Sequence, residues 1–239
     1  MATVHELPAG ELRRVRVAVL AKAPIPGLAK TRLIPALGPR GAARLQRQLT
    51  RNALRTAHEA QLGGVTLWCA PHAEHRFFRA LRRTAGVDCR VQPGGDLGER
   101  MHAAFALHCA QGPLLLIGTD CPPLAPAHLR QAARALLQGD DAVFHPAQDG
   151  GYVLVGLRRP QPALFRDMAW STASVMSHTR QRAAAAGLRV REFETLWDLD
   201  VPADLERLRP GCETIGAPDD LASLRRRWTD FPCCCSASP

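Results

Sequence analysis

Lysine is almost missing from this chain: only Lys22 and Lys30 occur among 31 lysines and arginines, so every other strong base is arginine. Aromatic residues are also scarce, at 5% with a single tyrosine. A basic stripe interleaved with stacking rings is therefore not visible, which argues against a nucleic-acid partner. No apolar run approaches the ~20 residues of a membrane helix, and Met1–Arg14 lacks the apolar core of a secretory signal. The expectation is a cytoplasmic chain with no membrane association. None of the eight cysteines stands in CxxC spacing, so the scattered ones read as small buried hydrophobes in a reducing compartment. His72 and His75 lie one helical turn apart near Cys69, but without a placed fourth ligand they do not make a structural zinc site. The adjacent Cys233, Cys234 and Cys235 have no partners at metal-ligand spacing and lie in a polar tail.

What is present is enough for a substantial core, with 46% hydrophobic residues in 239. A net charge of +9 favours an anionic partner. That partner could be nucleic acid, a membrane surface or small phosphorylated substrates, and the spread of the arginines along the chain weakens the first. Both lysines fall in one stretch, K-A-P-I-P-G-L-A-K-T-R-L, directly after the apolar run Val15–Leu20. A β-branched run ending in a Pro- and Gly-rich loop with Lys22, Lys30, Thr31 and Arg32 reads as a strand delivering a cationic loop to a sheet edge. It is not a Walker A loop, since Ala29 and Pro24 stand where that motif needs glycine.

The rest of the chain alternates strand and helix patterns. Helices are expected over Gly41–Gln61, His72–Arg82, Met101–Ala110 and Ala127–Gln138. A further helix, capped by Ser171 or Thr172, runs to Ala186, and Pro202 opens a short last one. Strands are expected at Val65–Cys69, Val87–Val91, Pro113–Ile117, Ala142–Pro146, Tyr152–Leu157 and Leu188–Phe193. This alternation predicts a three-layer α/β fold with a mostly parallel sheet. The run L-L-L-I before G-T-D-C-P-P marks a strand buried on both faces, and Asp120 sits just beyond its carboxyl end. Ligands of such sheets lie outside that edge. The basic loop, Asp120 and the late pair Asp198 and Asp200 then form a set suited to a nucleoside phosphate bound with a hard divalent cation. Each aspartate taken singly could equally be a turn or cap residue. The glycines around Asp96 fit either a close backbone approach or a turn with positive φ.

Six segments in this order, A-K-A-P-I-P-G-L-A-K-T-R-L, G-G-D-L-G-E-R, G-T-D-C-P-P-L, D-G-G-Y-V-L-V-G-L, W-S-T and D-L-D-V-P-A-D-L, together resemble a known transferase family. Its genes lie beside radical-SAM and selenium-associated genes, and its members are often labelled arsenosugar-biosynthesis glycosyltransferases. The family belongs to the nucleotide-diphospho-sugar transferase superfamily, and the resemblance runs from about Val15 to Leu208. It implies a glycosyltransferase A-type, Rossmann-like fold over 15–210, with an N-terminal extension at 1–14 and a C-terminal tail at 211–239. It also implies a transferase moving a sugar from a nucleotide sugar to a small acceptor, with Mg²⁺ or Mn²⁺ as cofactor.

Carried over by position, Lys22, Lys30, Thr31 and Arg32 would meet the nucleotide phosphates, with Lys30 also serving catalysis. Gly95 and Asp96 would line the nucleotide pocket, and Asp120, Asp198 and Asp200 would bind metal. Gly150, Gly151, Tyr152, Trp170, Ser171 and Thr172 would face the sugar or acceptor. Asp149 is the expected general base, because an inverting transfer needs a carboxylate near the acceptor hydroxyl. The sequence departs from the family at Cys121, where serine is commoner, and at Val201, where threonine is usual. Two other activities use similar residues: a nucleotidyltransferase acting on a nucleoside triphosphate, and a nucleotide or RNA binder without catalysis. Having only Gly27 in the first loop, where nucleotidyltransferases of this superfamily carry a glycine-rich G-x-G-x-R, favours sugar transfer. An arsenic- or selenium-bearing acceptor is the expectation from gene neighbours alone, and the oligomeric state is not legible.

Overall fold

The computed structural model describes residues 9–208. The tail at 211–239, with Cys233–Cys235, lies outside the described residues. In chain order the elements are α1 (Ala9–Leu12), β1 (Arg16–Lys22), α2 (Ile34–Glu59), β2 (Val65–Ala70), α3 (Arg76–Ala85), β3 (Asp88–Val91) and α4 (Leu97–His108). These are followed by β4 (Leu114–Ile117), α5 (Pro126–Leu137), β5 (Ala142–Pro146), β6 (Tyr152–Leu157), α6 (Val175–Ala185) and β7 (Val190–Glu192). A 3-10 turn at Thr31–Leu33 precedes α2, and another spans Pro202–Leu208. The expected elements are all present, with ends shifted by a few residues.

The seven strands form one sheet in the order β3-β2-β1-β4-β6-β5-β7. Pairings of β1 with β2, β1 with β4, β2 with β3 and β5 with β7 are parallel, while β6 runs antiparallel to both β4 and β5. Because β6 is reversed, its start at Tyr152 lies on the same edge as the carboxyl ends of β1 and β4. The three-layer, mostly parallel α/β fold is therefore as the sequence predicts.

Alternation along β1 divides the core. Val17, Val19 and Ala21 face a cluster that includes Phe77, Phe78 and Leu81 of α3 and Leu129 and Leu136 of α5. Ala18 faces the other cluster, with Met101 and Phe105 of α4 and Met176 of α6. All four residues of β4 are buried, as a strand covered on both faces must be. Leu12 of α1 joins the first cluster, so residues 9–14 pack onto the domain.

A third, smaller cluster positions the late aspartates. Leu33, Leu45 and Leu49 pack against Trp197, Leu199, Leu205 and Leu208. This apolar clasp ties the start of α2 to residues 197–208. The Leu199 N–H also donates to the Asp120 carbonyl at 2.7 Å, which brings Asp198 and Asp200 to the end of β4. Helix α2 is broken near its start, where Gly38 adopts φ 65° before Pro39. Proline supplies no N–H to an interior turn, and glycine tolerates the positive φ.

Candidate active site

A cavity of about 540 Å³ opens at the carboxyl edge of β1 and β4 and the start of β6. Lys22, Lys30, Thr31, Arg32, Asp120, Asp149, Gly151, Tyr152, Trp170, Ser171, Thr172, Asp198 and Asp200 all line it. Thirteen expected site residues, from five separate sequence segments, thus share one wall.

Lys30 takes a role that the sequence does not predict. Its backbone is left-handed, with φ 48°, which turns the side chain inward until it is only 3% exposed. Its Nζ lies 3.0 Å from Asp120 Oδ2 and 3.9 Å from Asp200 Oδ1, and donates to the Leu199 carbonyl. A buried ammonium with three oxygen partners is committed to them. Lys30 is therefore the cation that gathers the two aspartates, while its loop neighbours Thr31 and Arg32 stay exposed. Arg32 is exposed and pairs with Asp200. Lys22, exposed at the end of β1, forms no ion pair among the described residues.

Asp120 is oriented from behind by a buried polar chain. Gln46 Nε2 donates to Thr119 Oγ1 at 3.1 Å and to Thr50 Oγ1 at 3.3 Å, and Thr119 Oγ1 donates to Asp120 Oδ1 at 2.9 Å. Gln46 is 4% exposed, so this amide is held by partners rather than by solvent. Asp204 performs a similar service for Asp200, accepting from the N–H groups of Asp200 and Val201 at 2.9 Å each. That carboxylate steadies the backbone at Val201, the position where threonine is usual. Asp149 Oδ1 accepts from the Gly151 N–H at 2.9 Å.

Asp198 is the electrostatically unusual member. Its carboxyl is pushed up to about 6, first by burial, then by the negative charges of Asp149 and Asp200, against the opposing pull of Lys30. This surplus of negative charge is what a hard cation would relieve, and carboxylate oxygens are its preferred donors. The donor chemistry fits Mg²⁺ or Mn²⁺. The geometry is not gathered around one point, however: among the described residues no three His, Cys, Asp or Glu side chains are arranged to hold a metal ion. Lys30 standing between Asp120 and Asp200 accounts for that.

Three expected residues fall outside the cavity wall. Asp96 is the N-cap of α4: its Oδ1 accepts from the Glu99 N–H, and Glu99 Oε2 accepts from the Asp96 N–H, each at 2.9 Å. This is a capping box, so Asp96 Oδ1 is held by the start of α4. Gly95 provides the positive φ of 94° that this turn requires. Gly150 lies against the Ala173 backbone, where an added Cβ would come within 2.2 Å of the carbonyl oxygen, and so locks the loop that carries Trp170 to Thr172. Tyr152 lines the cavity with its ring, because its hydroxyl is buried near Thr179 without a hydrogen bond of good geometry. Neither Ser171 nor Thr172 caps α6. Ser174 stands at that position, and Thr172 Oγ1 bonds to the Ala169 carbonyl and to Ser174 Oγ.

Besides Gln46 and Thr119, two further polar wall residues, Gln92 and Arg100, escaped the sequence reading. Gln92 Nε2 donates to the carbonyls of Ala21 and Trp68 at 3.2 and 2.8 Å. Both carbonyls are acceptors, which fixes the amide and leaves its Oε1 without a partner among the described residues. Arg100 lines the cavity and donates to the Gly95 carbonyl at 2.9 Å. Nothing short of knowing that the end of β3 and the start of α4 flank the cavity would have selected either.

Fold and cavity together place the protein in the nucleotide-diphospho-sugar transferase superfamily. A protein of Desulfovibrio desulfuricans G20, provisionally described as a nucleotide-diphospho-sugar transferase, superposes with a TM-score of 0.78 at 27% identity, covering 90% of this chain and 95% of that one. The chain belongs to the family described as an uncharacterized protein conserved in bacteria (DUF2064), matched over residues 53–172. The fold is shared with an inositol-1-phosphate CTP transferase of T. maritima, at a TM-score of 0.56 and 12% identity over 93% of this chain and 99% of that one. A cytidylyltransferase of Leptospira borgpetersenii has it too, at 0.54 and 11% over 95% and 99%. No curated protein matches the sequence.

Proposed function

We propose that the protein is a metal-dependent glycosyltransferase that moves a sugar from a nucleotide-sugar donor to the hydroxyl of a small acceptor. The observation that carries this reading is the division of one cavity. Lys22 at the end of β1 and Arg100 near the start of α4 supply positive charge to its wall, while Asp120, Asp149, Asp198 and Asp200 gather by the end of β4 and the start of β6, where Arg32 pairs with Asp200. A nucleoside diphosphate bridges such a division, with its phosphates on the cations and its reacting bond toward the carboxylates.

In this reading the fixed Gln92 Oε1 accepts an N–H of the base. Lys22, Arg32 and Arg100 hold the diphosphate and offset the charge that grows on it as the sugar–oxygen bond breaks. Asp149, with one oxygen anchored by the Gly151 N–H, takes the proton from the acceptor hydroxyl as that oxygen bonds to the sugar carbon. Trp170, Ser171, Thr172 and the Tyr152 ring wall the acceptor side and exclude water. Asp198, with Asp120 or Asp200, would hold Mg²⁺ or Mn²⁺, which supplies positive charge against the departing diphosphate. The family resemblance attaches an arsenic- or selenium-bearing acceptor to this reading.

The test is product analysis with a panel of nucleotide sugars, nucleoside triphosphates and candidate acceptors, including arsenic- and selenium-bearing ones, with Mn²⁺ or Mg²⁺. Release of a nucleoside diphosphate from one nucleotide sugar is the expected result. Release of pyrophosphate from a triphosphate would replace this reading with nucleotidyl transfer. Asp149→Asn should lower kcat by about 10²–10⁴ while donor binding is kept.

A further inference from the structure

Helices α2 and α3 carry nine arginines and, between them, one acidic residue, Glu59. In α2 the arginines stand at 40, 44, 47, 51 and 55. These steps of four, three, four and four keep them on one stripe of a 3.6-residue helix, and at 1.5 Å per residue the stripe is about 22 Å long. In α3, Arg76, Arg79 and Arg83 make a second stripe by the same spacing. The two helices meet at Phe77, whose ring lies 5.7 Å from the Arg47 guanidinium and 6.0 Å from that of Arg51. Arginines far apart in sequence thus form one face.

This face differs from the other arginine positions. Elsewhere several arginines are matched to acids, Arg90 to Asp88, Arg158 to Asp141, Arg180 to Glu192 and Arg191 to Asp140, and others such as Arg159 and Arg166 stand without an acid among the described residues but are not part of a helical stripe. On α2 and α3, by contrast, Arg40, Arg47, Arg51, Arg76, Arg79 and Arg83 form no ion pair among the described residues. Nor does the face offer apolar anchors. The exposed large hydrophobics, Leu28, Val91, Leu97, Leu107 and Val201, are on neither helix. A protein interface needs an apolar core, and an interfacial helix needs an apolar face free to enter the lipid. Phe77, Phe78 and Leu81 are instead buried.

We propose that the α2–α3 face binds the phosphate backbone of double-stranded nucleic acid without reading its sequence. Guanidinium forks match phosphate oxygens, and such binding requires only charge. The buried aromatics cannot stack on unpaired bases, so a duplex is favoured over a single strand. A 22 Å stripe spans about six base pairs at 3.4 Å each. With about six phosphates neutralised, log K should fall against log salt with a slope near −5.

The experiment is fluorescence anisotropy of a labelled mixed-sequence duplex of ~20 base pairs with the full chain, over a salt series. The paired variant Arg51→Glu, Arg79→Glu should bind at least tenfold more weakly, with a shallower slope. A second pair, Arg159→Glu with Arg166→Glu in the β6–α6 connection, changes net charge equally and should bind as the wild type does. Thermal unfolding of all three proteins checks that each is folded. Equal weakening by the second pair would reduce the effect to net charge and overturn the proposal. So would the absence of duplex binding, or displacement of the duplex by millimolar nucleotide, which would place it in the cavity. Sedimentation with phosphatidylserine vesicles but no duplex binding would assign the face to a membrane surface instead.

Discussion

Replacing Asp198 by asparagine should remove the pH dependence that this residue imposes on stability. In the folded protein its carboxyl is raised from the ordinary carboxylate range to about 6, chiefly by burial and by Asp149. Below about pH 4 the group is protonated in both folded and unfolded chains. Between about 4 and 6 the folded chain holds a proton that the unfolded chain has lost, so stability falls as pH rises through this window. Above 6 the loss is complete. A rise of about two in pKa would be worth about 3 kcal/mol at 1.36 kcal/mol each. Asp198 is only partly buried, so solvent screening reduces this to about 1–2 kcal/mol. The amide of the variant has no charge to bury. Urea unfolding of both proteins in a chelator should therefore show the variant gaining about 1–2 kcal/mol over the wild type at pH 7.5 relative to pH 4. Added Mn²⁺ should restore the wild type at pH 7.5 but not the variant. Parallel stability profiles from pH 4 to 7.5 would refute the assignment of surplus negative charge to this position.

Gly98→Ala should cost about 1–3 kcal/mol in chemical unfolding by overpacking, because its Cβ would stand 2.5 Å from the Phe165 carbonyl oxygen and 2.8 Å from Trp170 Cζ2. Gly94→Ala, with open space around it, should stay within about 0.5 kcal/mol. Gln46→Leu leaves Thr119 without its buried donor, so it should destabilise by about 1–3 kcal/mol and weaken metal-dependent nucleotide binding in calorimetry. Lys30→Met leaves Asp120 and Asp200 facing each other without their shared cation. It should destabilise by about 1–2 kcal/mol at pH 7.5, after discounting for the exposure of both carboxylates.

Much of this protein is legible as sequence. The alternation of apolar runs with helical patterns, punctuated by glycine and proline, determined the order of elements. It also placed Lys22, Arg32 and Asp120 on one edge, because strand ends in a mostly parallel sheet face the same way. The glycines around Asp96 were ambiguous in the sequence, and the structure divides them: Gly95 meets a demand for positive φ, and Gly98 a close approach by Trp170. Asp96, read as a pocket residue, caps α4, and a cap and a ligand share the same chemistry until the surrounding N–H groups are located.

Tertiary structure decided which charges meet. Lys30 looked like a phosphate ligand in a basic loop, yet the Leu33–Trp197 clasp brings residues 197–208 over it and turns it toward Asp120 and Asp200. Gln46 and Gln92 carried no signal because an amide is defined by the carbonyls and hydroxyls around it, which here come from distant elements. The arginines of α2 and α3 looked spread, and became one face only when Phe77 packed beneath Arg47 and Arg51. Local patterning fixes which face of each element is apolar, whereas the pairing of charged and polar groups depends on packing between elements distant in sequence.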